Sequence, residues 1–244
     1  MLPTTSGYTA LAGAFLELRY FYMRNSRSDQ VQRTTDFIAT YYAPASRRAG
    51  IGPIGIFSPV IAPDSPFLLV LSGYPSLAAM QASFGELAAD AEYQKGWETF
   101  NSNPDLAYIR MESTLFRCFD SVPAIETGSA DRAPRTFELR TYESDNEMTL
   151  QRKIKMFDEG EIAIFRRNGM QPVFFGEARV GPKLPRLTYM LAYENMSGRE
   201  EAWSAFIADP DWKRLSVTPG LSDPDIVANI SNAILKPVPG SEIW

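Results

Sequence analysis

Histidine is absent from this 244-residue chain, and that absence removes more chemistry than any single residue adds. Without an imidazole there is no Ser-His-Asp triad, no Cys-His pair, no histidine general base, no histidine-ligated haem and almost no route to a zinc enzyme site. Cysteine is nearly absent as well. Cys118 stands alone, which rules out an intrachain disulfide and any CxxC redox or zinc motif. Basic charge is in deficit, with a net charge of −5 and a pI near 5.0. Phosphate recognition needs a concentrated Lys/Arg surface, so nucleic acid is not an expected partner, and an anionic membrane surface is disfavoured in the same way. Apolar runs such as Phe67 to Leu71 are too short to span a bilayer, and the N-terminus lacks the basic start and continuous apolar core of an export signal. A soluble, cytoplasmic protein with no membrane span is expected. The mildly apolar stretch Leu2 to Phe15 is also what a removed N-terminal export signal would leave behind. No GxGxxG, P-loop or EF-hand pattern occurs, and the acidic residues lack metal-ligand spacing, so no cofactor and no metal are expected.

What is present is a duplication. Residues 31–95 align on 150–214 without a gap, placing Gln32-Arg33 on Gln151-Arg152, Arg47-Arg48 on Arg166-Arg167, and Gly50 on Gly169. Pro53, Pro63, Pro66 and Tyr74 fall on Pro172, Pro182, Pro185 and Tyr193, and Ala89-Asp90 falls on Ala208-Asp209. Several of these are turn residues, whose backbone roles resist substitution. Upstream, ELRYF at 17–21 lies over ELRTY at 138–142 after a small change in loop length. Asp120 to Arg135 is rich in Pro, Gly, Ser and Asp and reads as a linker. Two repeats are expected, 1–127 and 128–244.

Each copy changes periodicity in the same order. Alternation at 137–142 predicts a strand, helical spacing of Leu150, Ile154, Phe157 and Phe165 or of Val31, Thr35, Ile38, Tyr42 and Ala45 predicts a helix, and Arg-Arg-x-Gly ends that helix. A hairpin, a second helix and a last strand follow, giving βαββαβ twice. This α+β order is that of ferredoxin-like units. Such a sheet has helices on one face only, and two copies in one chain can bury the bare faces against each other as a pseudo-dimeric α+β barrel.

The segments FELRTYE at 137–143, PVFFGE at 172–177 and YMLAYEN at 189–195, with Arg199, Trp203, Phe206, Asp209, Pro210 and Trp212, resemble the NIPSNAP family, within the dimeric α+β barrel superfamily. The resemblance covers 136–235 and, in degraded form, 15–118, where Phe84, Ala91 and Tyr93 replace the first Trp, the Pro and the second Trp. It implies the barrel and often dimerisation, and a homo-oligomer of the tandem chain is a corresponding expectation. The Phe84, Ala91 and Tyr93 replacements argue against equal function of the two copies, and the family supplies no catalytic residue to carry over.

In strand one, Leu16, Leu18 and Tyr20 alternate with Glu17, Arg19 and Phe21. The more apolar set is expected to face the helices, which turns Glu17 and Arg19, and Glu138, Arg140 and Tyr142 of the second copy, into the barrel. Buried charges require partners. Glu17/Arg19 and Glu138/Arg140 are therefore either ion pairs that fix how the sheets dock, or a ligand site in which the arginines hold an anionic or carbonyl group among Phe21 and the tyrosines. Tyr74, Tyr189 and Tyr193 on the third strands are core tyrosines or donors to a ligand oxygen, with Glu17 or Glu138 as the base that a histidine-free site would need. Trp203, Phe206 and Trp212 read as core, the Arg-Arg pairs as solvated helix ends, and Cys118 as a small buried hydrophobe. Three functions remain open: a small-molecule binder with its ligand in the barrel between the halves, a cofactor-independent monooxygenase, isomerase or cyclase, and an interaction scaffold.

Overall fold

The computed structural model describes residues 14–25, 29–128 and 135–244. Most of the Leu2 to Phe15 stretch and the centre of the linker lie outside the described residues. The first half runs β1 (Phe15–Tyr22), α1 (Gln30–Phe37), a π-helical turn (Ile38–Tyr42), α2 (Ala43–Arg48), β2 (Ile54–Ile61), β3 (Phe67–Tyr74), α3 (Leu77–Ala89), α4 (Ala91–Asn101) and β4 (Arg110–Cys118). The second half repeats this with β5 (Thr136–Glu143), α5 (Glu147–Met156), a π-helical turn (Phe157–Glu161), α6 (Ile162–Arg167), β6 (Gln171–Val180), β7 (Arg186–Tyr193), α7 (Met196–Ala208), α8 (Pro210–Leu215), a short α9 (Asp223–Ile226) and β8 (Asn229–Pro237).

Local chemistry explains the matching boundaries. Gly50 and Gly169, at φ of +72° and +84°, take the left-handed position after the Arg-Arg helix ends. Ser76 and Asn195 cap α3 and α7, accepting from the amides of Ala79 and Gly198, and Asp90 and Asp209 cap α4 and α8. The π turns advance the helical phase, so the buried positions of the first helix include Thr34, Phe37, Ile38, Tyr42 and Ala45. Val31, expected on that face, is 42% exposed.

The eight strands close into one antiparallel barrel in the order β1-β3-β2-β8-β5-β7-β6-β4. The halves are joined edge to edge, β2 pairing with β8 and β4 with β6. The chain after each last strand then crosses to the other half. Phe119 N donates to Phe175 O, and at the equivalent place Val238 N donates to Ile56 O. The expected linker is thus partly structural, and Val122 within it is fully buried. Arg47 pairs with Glu242 and Arg166 with Glu126 across the same exchange, while Arg48 pairs with Asp90 and Arg167 with Asp209 within each half. The Arg166–Glu126 pair, exposed on both sides, contributes little, while the other three join half-exposed arginines to more covered carboxylates, and together they occupy the arginines that read as solvated helix ends.

Three apolar clusters result. One fills the barrel with Leu16, Leu18, Phe57, Phe116, Phe137, Leu139, Phe174, Met190 and Leu235, and the others lie between each half of the sheet and its helices. Cys118 belongs to the barrel cluster, where burial pushes its thiol up to about 12. It is a packing residue. Among the described residues no helix is long and apolar enough to cross a membrane, and no cluster of carboxylates and cysteine could hold a metal ion.

Candidate functional site

The facing of strand one is the reverse of the sequence expectation. Leu16, Leu18 and Tyr20 point into the barrel with Leu139, whereas Glu17, Arg19 and Phe21, and Glu138, Arg140 and Tyr142, point out beneath the helices. Both faces of this sheet are buried, so apolar content could not say which one is the lumen. The two carboxylates and two guanidiniums do not converge on the pseudo-twofold axis. Each pair sits under the helices of its own half.

In the second half Glu138 is fully buried and saturated with donors. Arg140 Nη1 reaches Oε1 at 2.9 Å, Arg199 Nε and Nη2 donate to Oε2 and Oε1 at 2.8 and 2.7 Å, and Trp203 Nε1 donates to Oε2 at 2.9 Å. Tyr193 Oη and Asn232 Nδ2 complete the set, each at 3.3 Å. Burial alone would raise the Glu138 pKa, but the Arg199 hydrogen bonds, the Arg140 charge and the Trp203 donor outweigh it and hold the carboxyl at about 2. A carboxylate so held is a poor proton acceptor near neutral pH, which removes Glu138 as a base. Tyr189 donates to Tyr142 Oη at 2.9 Å and stacks on Phe175 with ring centroids 4.8 Å apart. Both tyrosines are core. Behind them lies a charge group that sequence reading missed, the buried Lys153 and Glu161 at 3.0 Å, with the half-exposed Asp223 at 3.1 Å from Lys153.

In the first half Glu17 keeps only the equivalent sheet donors. Arg19 grips it through Nε and Nη2, the nearest contact at 2.9 Å, Tyr74 Oη donates at 3.1 Å, and Ser113 takes the place of Asn232. The helix donors are missing. Met80 and Phe84 stand where the gapless repeat places Arg199 and Trp203, and a cavity of about 330 Å³ opens over Arg19, Tyr42 and Tyr74. Phe21 lies aside from it, edge-on to Tyr108 at 5.3 Å.

A second cavity, of about 350 Å³, lies between the halves at the barrel end where the 61–67 and 180–186 hairpins meet. Lumen-facing residues line it in equivalent pairs: Tyr20 opposite Thr141, Phe67 opposite Arg186, Glu112 opposite Ser231, and the hairpin residues Asp64 and Lys183. Arg186 is its distinctive group. Its Nη2 donates to Thr114 Oγ1 at 2.9 Å and its guanidinium lies 5.6 Å from the Phe116 ring, while its buried Nε has no partner. Among the described residues no carboxylate reaches ion-pair distance of it. Burial pulls its pKa below the ordinary arginine value, with Tyr20, Glu143 and Glu112 only partly opposing. Sequence reading missed Arg186 because it opens an otherwise apolar strand, RLTYMLAY. The signal that could have found it is its repeat partner, the apolar Phe67.

The fold defines a pseudo-dimeric α+β barrel in which two ferredoxin-like units in one chain enclose a shared lumen. The NIPSNAP family model matches residues 137–242, so the second half carries a NIPSNAP domain. Over its whole length the chain is similar in structure to a candidate monooxygenase of Fusobacterium nucleatum, with a TM-score of 0.61, 10% identity and coverage of 93% of each chain. It is also similar to a candidate monooxygenase of Lactobacillus acidophilus, with a TM-score of 0.55, 13% identity and coverage of 94% and 98%. A NIPSNAP family protein of unknown function from Agrobacterium tumefaciens covers 45% of this chain over 94% of its own length, at 22% identity and a TM-score of 0.41. No curated protein matches the chain.

Proposed function

We propose that the protein binds a small organic anion in the barrel mouth between its two halves, with Arg186 as the anion receptor. The observation that carries this reading is a half-buried guanidinium that lines a cavity, makes no ion pair among the described residues and keeps a buried Nε without a partner. Partial removal of a charge from water without an ion-pair partner is unfavourable, and an anion from solution relieves that cost. Guanidinium geometry suits a carboxylate or phosphate, and Tyr20, Tyr22 and Phe67 offer an apolar wall for the rest of the molecule. A volume near 350 Å³ falls at the small end of ligand pockets.

The test is titration with octanoate and with octanol, followed by calorimetry, for the native protein and Arg186→Gln. Octanoate is expected to bind, octanol to bind at least tenfold more weakly, and Arg186→Gln to lose the preference. Equal binding of acid and alcohol, or unchanged octanoate affinity in Arg186→Gln, overturns the assignment.

A further inference from the structure

We propose that the first half carries a second, separate binding site, between its sheet and helices α3 and α4, for a planar aromatic molecule bearing a carbonyl or carboxylate oxygen. The barrel mouth lies on the other face of β1 and shares none of its lining residues.

The second half shows how this fold closes the same space. There Arg199 and Trp203 descend from α7 onto Glu138, and the Trp203 ring covers the Arg140 guanidinium at 4.7 Å. In the first half the corresponding side chains are Met80 and Phe84, which cannot donate to Glu17, and Phe84 is 49% exposed. Tyr42 approaches the Arg19 guanidinium at 5.6 Å, but among the described residues no ring from α3 covers it, so the place that Trp203 takes over Arg140 is left to a ligand. Arg19 lines the cavity, with 22% of its side chain accessible, and its Nη1 has no hydrogen-bond partner among the described residues. Because Glu17 already balances the Arg19 charge, a neutral carbonyl suits Nη1 as well as a carboxylate does. The Tyr42, Tyr74 and Tyr93 rings supply flat walls, and Trp97, 47% exposed on the longer α4, lines the cavity together with the exposed Phe84. Two large aromatic rings left at the lip of a cavity with a polar floor match a slot that an aromatic plane completes.

The experiment uses 2-naphthoate in the Arg186→Gln background, which keeps the barrel mouth out of the reading, with tryptophan fluorescence and calorimetry as the two readouts. Saturable binding is expected to quench Trp97, and Trp97→Phe is expected to lose that quench. Ala88→Trp, at an exposed position on the cavity wall, and Met80→Arg with Phe84→Trp, which installs the closure of the second half, are each expected to weaken binding at least tenfold. Absence of binding, an undiminished quench in Trp97→Phe, or affinity unchanged by Ala88→Trp overturns the site. Should the Met80/Phe84 exchange fail to fold, Ala88→Trp and Trp97→Phe decide alone.

Discussion

The two halves share a sheet, a capping pattern and a Glu-Arg-Tyr arrangement, yet they treat the buried glutamate differently. In the second half two donors from α7 seal Glu138 into a closed ion-pair network. In the first, α3 brings no donor to Glu17, and the space above it stays open. The two copies share the sheet-side contacts and differ in the helix-side ones. One half became core where the other keeps a cavity.

The largest expected effect comes from breaking the closed network. Glu138→Gln leaves Arg140 and Arg199 without their counter-charge and is expected to cost about 3–5 kcal/mol, read by urea unfolding. Glu17→Gln strands only Arg19, which already touches the cavity, and is expected to cost less than half as much. Equal losses would erase the contrast between the halves.

The same network sets an acid limit. A carboxyl held at about 2 in the folded chain and near its ordinary value when unfolded stabilises the fold above about pH 4.5, and that contribution is lost as pH falls towards 2. The expected loss is about 3 kcal/mol. Unfolding midpoints measured from pH 6 to pH 2 should fall mainly below pH 4.5, and the fall should shrink in Glu138→Gln.

Arg186→Gln carries the smallest effect and the opposite sign. Removing a half-buried charge that has no ion-pair partner is expected to raise stability by about 1 kcal/mol, or roughly 2–4 °C in Tm for a chain this size. A structural role for Arg186 would instead lower Tm.

Much of this was legible in the sequence. The gapless repeat gave the element order, because turn glycines and prolines are fixed by backbone geometry rather than by packing. The unequal halves were legible in Phe84 against Trp203. The facing of β1 was not, because alternation separates two faces without saying which is the lumen, and here both faces are buried. Glu17 and Arg19, like Glu138 and Arg140, do share a face of their strand, but it is the helix side and not the lumen. Lys153, Glu161 and Asp223 come together only through the packing of α5, the π turn and α9, which no local pattern announces.

Matched positions in the two halves differ in openness. The most direct measurement is a crystal structure of the protein soaked in 2-naphthoate. Density is expected over Arg19, between Phe84 and Trp97, with the Trp203 ring still covering Arg140. Equal density over Arg19 and Arg140, or density over Arg140 alone, would contradict it.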